Sequence, residues 1–565
     1  VNDARDASTN HWANHRLSRR ALAAGAGAAT AAGLLGVRLI GSSAAQEVQV
    51  AATPVALGPA VPPEISDNPG DWPTENKNLA MTRFVDDSNI SAETVNTLGV
   101  AWTFPLDVTS GFGAITSNPI VIGDVVYIED MMSNIYAIDK ETGEQLWRTD
   151  YNVTTEGPNG IAVGYGVLVS VLGDNSVVVA LDASTGEELW QADLSNNVGE
   201  GIDMAPLIYD NTVYVSTVPG NSQVFYRGGQ KGIFYALDIT SGHVIWQWDT
   251  TVDNLWGNAR VNSGGGLWHP PAIDEDGMLY LGVANPGPWP GNSEFPNGSS
   301  RPGDNLYTNS VVKIDPATAG VVWYLQVLPH DLFDLDNQLS PVLTSVTIND
   351  VETNIVVTSG KHGYVVAMDR SSGKELWRTA IGKHENDLLQ EVPEGETVEV
   401  YPSSLGGVET PFAVANGVGY FATMNLPRYY TPNGKATEPV PPPISEATGE
   451  IVAVDLATGQ ILWDNITPTA PFAGTTVVGD IVFTSGLDGV VHAWNAADGS
   501  DVWSWQAPAG INATFAAVGD YLFVAAGSPL LASTDTASPA PELQTALIAL
   551  KLGAASESAG ATPAA

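Results

Sequence analysis

Three carboxylates and one imidazole fall within seven residues at His330–Asp336, His-Asp-Leu-Phe-Asp-Leu-Asp. Side chains alternate along an extended chain, so Asp334 and Asp336 would point to one side. Two carboxylates about 6–7 Å apart on one face repel each other. A cation between them, or a reactant that hands one of them a proton, would give that repulsion a use. Taken alone, the stretch also reads as an acidic surface loop.

The rest of the chain must position this stretch. Hydrophobic residues make up 44% of the sequence, with 16 Trp and 58 Gly, so the chain forms a core. Lys and Arg number 22 against 63 Asp and Glu, a net charge of −41. That balance excludes nucleic acid and anionic membrane surfaces as expected partners. There is no Cys, hence no thiolate metal site and no Cys-x-x-Cys-His haem attachment. Redox chemistry would need a bound organic cofactor and a separate electron acceptor.

A repeat runs from about 95 to 552: Ala-x-Asp-x-x-Thr-Gly-x-x-x-Trp, with small variations. Its seven copies end in Trp147, Trp190, Trp246, Trp323, Trp377, Trp463 and Trp503. Each begins as an apolar strand, turns through Asp and Gly, and resumes as a short strand. Asp at the turn start and Gly at a positive-φ position suit a tight hairpin. Another strand pair precedes most copies, as at Val125–Ile128. Four short strands per repeat of 40 residues or more predict a propeller blade. An eighth copy is split: Ala546–Leu552 has no Trp after it, and Leu98–Phe104 carries the missing half with Trp102. An all-β, eight-bladed propeller follows, closed by an N-terminal strand. Long insertions are expected at about Asn285–Asn309 and Lys383–Glu409, the second as an acidic surface feature, with a Pro-rich loop at Tyr430–Thr448.

The ends read differently. Ser18-Arg19-Arg20-Ala21-Leu22, followed by an Ala/Gly/Leu run, resembles a twin-arginine export signal, with small residues up to Ala45 for cleavage. Residues 1–45 are therefore expected to be a signal, 46–75 a Pro/Ala-rich linker, 76–552 the propeller and 553–565 a disordered tail. The expected location is extracytoplasmic, without an integral membrane span once the signal is removed.

Several central motifs carry a resemblance. Gly264-Gly265-Gly266-Leu267-Trp268 resembles the segment whose Trp lies under the quinone in the pyrroloquinoline quinone (PQQ) dependent alcohol dehydrogenases. Gly282–Trp289 resembles the family's Gly-x-Gly-Asn-Pro-x-Pro-Trp, which implies Asn285 as a metal ligand. Arg301-Pro302-Gly303-Asp304-Asn305 matches a following run. Pro329–Asp334 resembles Pro-His-Asp-x-Trp-Asp, which implies Asp334 as catalytic base and a metal ligand. Asp336 stands where the resemblance implies an extra ligand for a lanthanide ion in place of Ca²⁺. Gly360-Lys361-His362-Gly363 implies Lys361 as the contact to the quinone carbonyls. His330 reads as a structural hydrogen-bonder.

What the resemblance implies is an exported dehydrogenase acting on an alcohol or polyol. It would pass electrons to an external acceptor such as a cytochrome c. The physical roles agree: an indole stacks on a flat ring, carboxylates and an amide oxygen suit a hard cation, and a lysine stabilises charge on a reduced quinone. The sequence also departs from the family. Pro219–Gly232 lacks the Glu that binds the metal, and Asn159 stands where an Arg pairs with a PQQ carboxylate. The adjacent-Cys disulfide is missing, and Gly406–Pro411 lacks an Asn-Trp pair. Three readings stay open: Asp336 and Glu409 compensate, the quinone binds differently, or it does not bind. In the last case the propeller is a non-catalytic scaffold for protein binding.

Overall fold

The structure is a computed structural model that describes residues 57–108, 110–196, 199–221, 223–529 and 544–554. The expected signal at 1–45 and nearly all of the tail lie outside these residues. Among the described residues, no helix is long and apolar enough to cross a membrane.

Hairpins dominate, and the repeat explains them. Val177–Asp182 pairs antiparallel with Glu188–Asp193. Asp182 starts the turn, its Oδ1 accepting from the Ser184 and Thr185 amides at 2.9 and 3.0 Å. Gly186 ends the turn at φ +73°, a conformation that costs glycine little. The first strand is a buried apolar run, while the second alternates and half faces solvent. Middle strands sandwiched between neighbouring sheets need apolar residues on both faces.

Among the described residues, six four-stranded and two five-stranded sheets follow one another along the sequence, with three small two- or three-stranded sheets beside them. The last large sheet draws on both ends. Leu98–Pro105 pairs antiparallel with Ala546–Leu552, from Leu98 opposite Leu552 to Pro105 opposite Ala546. Phe84–Val85 adds a parallel strand to the preceding sheet, against Val477 and Val478.

Five of the seven repeat tryptophans, and Trp102, bind their sheet to the next. Trp147 Nε1 donates to Ala183 O at 3.1 Å, Trp190 to Ile239 O at 2.8 Å, and Trp377 to Leu456 O at 3.1 Å. Trp323 and Trp463 do the same across the fourth-to-fifth and sixth-to-seventh junctions. Trp102, on the N-terminal strand, donates to Lys140 O in the first sheet at 2.8 Å. Each indole lies flat on the turn glycine of the next hairpin. A Cβ on Gly186 would stand 2.6 Å from Trp147 Cε3. Gly186→Ala is therefore expected to cost about 2 kcal/mol, from the strained φ and from displacing the indole. Urea unfolding measures it, and an unchanged midpoint would refute this packing.

Two expectations change. Residues 57–75, read as linker, are built into the fold. Trp72 is fully buried and exchanges two backbone hydrogen bonds with Val121, and the Glu64 carboxylate accepts from the Tyr165 and Gly166 amides. The insertion at 383–409 is only partly a surface feature. Its Val398–Val400 pairs with Arg428–Thr431, and its last residue, Glu409, is a cavity-lining side chain.

Candidate active site

The glycine run before Trp268 holds backbone against backbone. Gly266 has φ +91°, and a Cβ there would stand 2.5 Å from Thr217 O. Gly265 N donates to Asn285 O at 3.0 Å, and Ala284 N to Gly266 O at 3.0 Å. The segment carrying Trp268 is thereby laced to the segment carrying Asn285. Gly407, at φ +67°, does the same for Glu409: a Cβ there would stand 2.2 Å from Lys361 O. Close approach of three loops needs glycine at these contact points.

The acidic stretch is not a strand. Asp331 Oδ1 accepts from Phe333 N at 2.7 Å and Oδ2 from Leu335 N at 2.8 Å, which curls the segment around its own carboxylate. Arg301 braces it from outside, donating to Asp331 O at 2.6 Å. Asp334 takes φ +67°, a strained conformation of the kind found at functional sites. The expected extended alternation is replaced by this turn, yet Asp334 and Asp336 both line one cavity. His330 lies away from it, its Nδ1 3.0 Å from Gly303 O.

That cavity holds about 210 Å³. Trp268, Phe112, Phe225, Tyr226 and Phe472 give it aromatic walls, and Lys361, Asp334, Asp336 and Glu409 meet within it. A wider groove of about 560 Å³ runs past His330 and Asp387, but none of those four charged groups lines it. Convergent polar groups in an apolar pocket mark the smaller cavity as the site.

Lys361, Asp336, Asn285, Asp334 and Tyr226 form one network. Lys361 Nζ lies 2.7 Å from Asp336 Oδ2, and Asp336 Oδ1 accepts from Asn285 N at 2.5 Å. Asn285 Nδ2 donates to Asp334 Oδ1 at 2.7 Å. Tyr226 donates its hydroxyl to Asn285 Oδ1 at 2.5 Å. Burial pushes the Asp334 carboxyl up to about 7, opposed by Lys361 and helped by Asp336. Burial also pushes Glu409 up to about 8 and Glu156 up to about 7. Burial pulls Lys361 down, but Asp334, Asp336 and Glu409 together hold it well above the usual lysine value.

Trp268, Lys361, Asp334 and Asp336 thus come together as the sequence motifs imply. Asn285 sits behind them, fully buried, and reaches the cavity through its partners. Asn159 does not line the cavity. Its amide is used inward, accepting from Thr116 Oγ1 at 3.2 Å and donating to Asp130 O at 3.2 Å, while Glu156–Pro158 form that wall. Sequence reading missed Tyr226, Glu75, Glu156 and His269. Tyr226 lies inside Pro219–Gly232, a segment that drew notice only for its lack of a carboxylate.

A flat aromatic cofactor fits this donor set. The Trp268 indole is half-buried, and its Nε1, like Glu409 Oε1, is buried without a hydrogen-bond partner among the described residues. Glu409 and Glu156 are held near or above neutrality, so they can donate to a carboxylated ligand as well as repel it. A metal ion does not fit these side chains as they stand. Asn285 Oδ1 and both Asp336 oxygens are engaged. Among the described residues, no group of three or more His, Asp or Glu side chains converges as a metal requires.

The comparisons with known proteins place this fold among oxidoreductases of the quinoprotein class. The chain belongs to the glucose/ethanol/alcohol dehydrogenase β-propeller family, whose profile matches residues 72–169 and 196–397. A profile described as outer membrane protein assembly factor BamB matches residues 447–547. Among individual proteins, quinohemoprotein alcohol dehydrogenase ADH IIB of Pseudomonas putida is 26% identical over 523 residues, covering 81% of this chain and 73% of that one. A lanthanide-dependent methanol dehydrogenase of Methylacidiphilum fumariolicum is 25% identical over 522 residues, covering 79% and 82%. The crystal structure of quinohemoprotein alcohol dehydrogenase from Comamonas testosteroni superposes with a TM-score of 0.72 at 23% identity, covering 87% and 82%, and shares the fold.

Proposed function

We propose that the protein oxidises the hydroxyl of a small alcohol or polyol, using PQQ held in the aromatic-walled cavity. The observation that carries this reading is the meeting of Trp268, Lys361 and Asp334 in one aromatic-walled cavity. PQQ, when bound, supplies the oxidant that takes two electrons and a hydrogen from the alcohol carbon. Trp268 offers its face to a planar ring and excludes water. Lys361 supplies a fixed positive charge where the ring oxygens gain negative charge. Asn285 holds Asp334 by its Oδ1, and Oδ2 is the oxygen that would receive the hydroxyl proton. A separate acceptor, such as a cytochrome c, would take up the electrons. The twin-arginine-like leader supports an extracytoplasmic setting, and the family membership of the chain supports the reaction class.

Purified protein given PQQ, with and without Ca²⁺ or La³⁺, should reduce an artificial dye when an alcohol is present. A panel of primary, secondary and polyol substrates that gives no reduction, with no quinone retained after desalting, would dismiss this function.

A further inference from the structure

Taking the cavity as the quinone site, we propose that the place of the family's metal ion is filled by this chain's own Tyr226 hydroxyl and Lys361 ammonium, so that the site is built to work without a bound cation. Oxygen ligands stand about 2.3–2.6 Å from Ca²⁺. The Tyr226 hydroxyl oxygen lies 2.5 Å from Asn285 Oδ1, the amide oxygen that resemblance assigns to the metal. The phenol therefore sits at the distance an ion would take from that oxygen. An ion there must displace it, and Asn285 cannot turn its Oδ1 elsewhere without losing the bond from its Nδ2 to Asp334.

The second position is closed in the same way. Lys361 Nζ lies 2.7 Å from Asp336 Oδ2, and Asn285 N takes Asp336 Oδ1 at 2.5 Å. An incoming multivalent ion would meet an ammonium already docked on the carboxylate it needs, and like charges at that range repel strongly. The sequence agrees from a different direction. Pro219–Gly232, where a Glu ligand would stand, has no carboxylate and contributes Tyr226 in its place. A hydroxyl and an ammonium are both hydrogen-bond donors. They can polarise an acceptor oxygen as a cation does, with less charge but fixed direction.

The test is metal uptake by the full-length protein without quinone. Protein stripped with EDTA is incubated with La³⁺ or Ca²⁺, desalted in high salt and assayed for metal content. The acidic surface retains some ions, so Asp336→Asn serves as the reference. Expected is less than about 0.1 ion per chain above that reference. One ion per chain, lost in Asp336→Asn, overturns the proposal. Tyr226→Ala clears the ring from Asn285 Oδ1 and is expected to gain at least tenfold in La³⁺ affinity. A Tyr226→Ala protein that folds, by its circular dichroism, yet takes up no more La³⁺ than the parent removes Tyr226 from the role. PQQ retention in EDTA is followed separately through tryptophan fluorescence. Binding within about threefold of that with La³⁺ supports the proposal, and binding that requires La³⁺ overturns it. If PQQ fails to bind in either condition while La³⁺ uptake stays at the reference, the quinone reading falls and the absence of a cation site stands.

Discussion

Asp334→Asn is expected to lower turnover by about 10³-fold while leaving quinone binding within about threefold of the parent. The substitution keeps size and shape. Asn tolerates the positive φ of +67° that Asp334 adopts. Its amide oxygen can keep the hydrogen bond from Asn285 Nδ2, now at 2.7 Å, so the network around it need not move. What disappears is the ability to take a proton. Trp268 still walls the cavity and Lys361 still reaches Asp336, so quenching of tryptophan fluorescence by PQQ should persist. The assay is dye reduction with saturating alcohol, beside a quinone titration. Unchanged turnover would remove Asp334 from the mechanism. Loss of both turnover and quinone binding would make it a binding residue.

The blade pattern was legible because it is local and periodic. Asp182, Gly186 and Trp190 fall within one short motif that recurs from blade to blade, supplying a turn carboxylate, a positive φ and an indole that reaches the next hairpin. The split copy was legible for the same reason: the half carrying Trp102 and the half at Ala546–Leu552 are each incomplete alone, and they pair. The site was legible only where a motif carried it. Trp268 and Lys361 reach the cavity because glycines before Trp268 and on either side of Lys361 let their loops approach, and those glycines are part of the motif. Tyr226, Glu75 and Glu156 reach the same space from connections that obey no period, so nothing in their spacing announced them. Asn159 shows the opposite failure. The motif places it where an Arg would pair with a PQQ carboxylate, but only the fold decides that its amide turns inward to Asp130 and Thr116. The turn at Asp334 was hidden because Asp331 builds it with its own carboxylate, which overrides the alternation of an extended chain.

Lys361→Met should be the most destabilising single change at the site, by about 3 kcal/mol. The ammonium is largely buried, with 17% of its side chain exposed, and its partner Asp336 keeps 3%. Methionine fills similar volume, so packing loss is small and the electrostatic cost stands out. Asp336 would retain only the Asn285 amide, and Asp334 and Glu409 would face it without a nearby ammonium from Lys361. A buried charge that loses its partner costs more than the pair contributed, because desolvation remains and attraction is gone. Asp336→Asn on top of Lys361→Met removes that stranded charge and is expected to return at least about 1.5 kcal/mol. Urea unfolding of the parent, both single variants and the double variant gives the coupling directly. Additive losses would mean that Lys361 and Asp336 do not act as a pair, and the ammonium would then be free for a ligand alone.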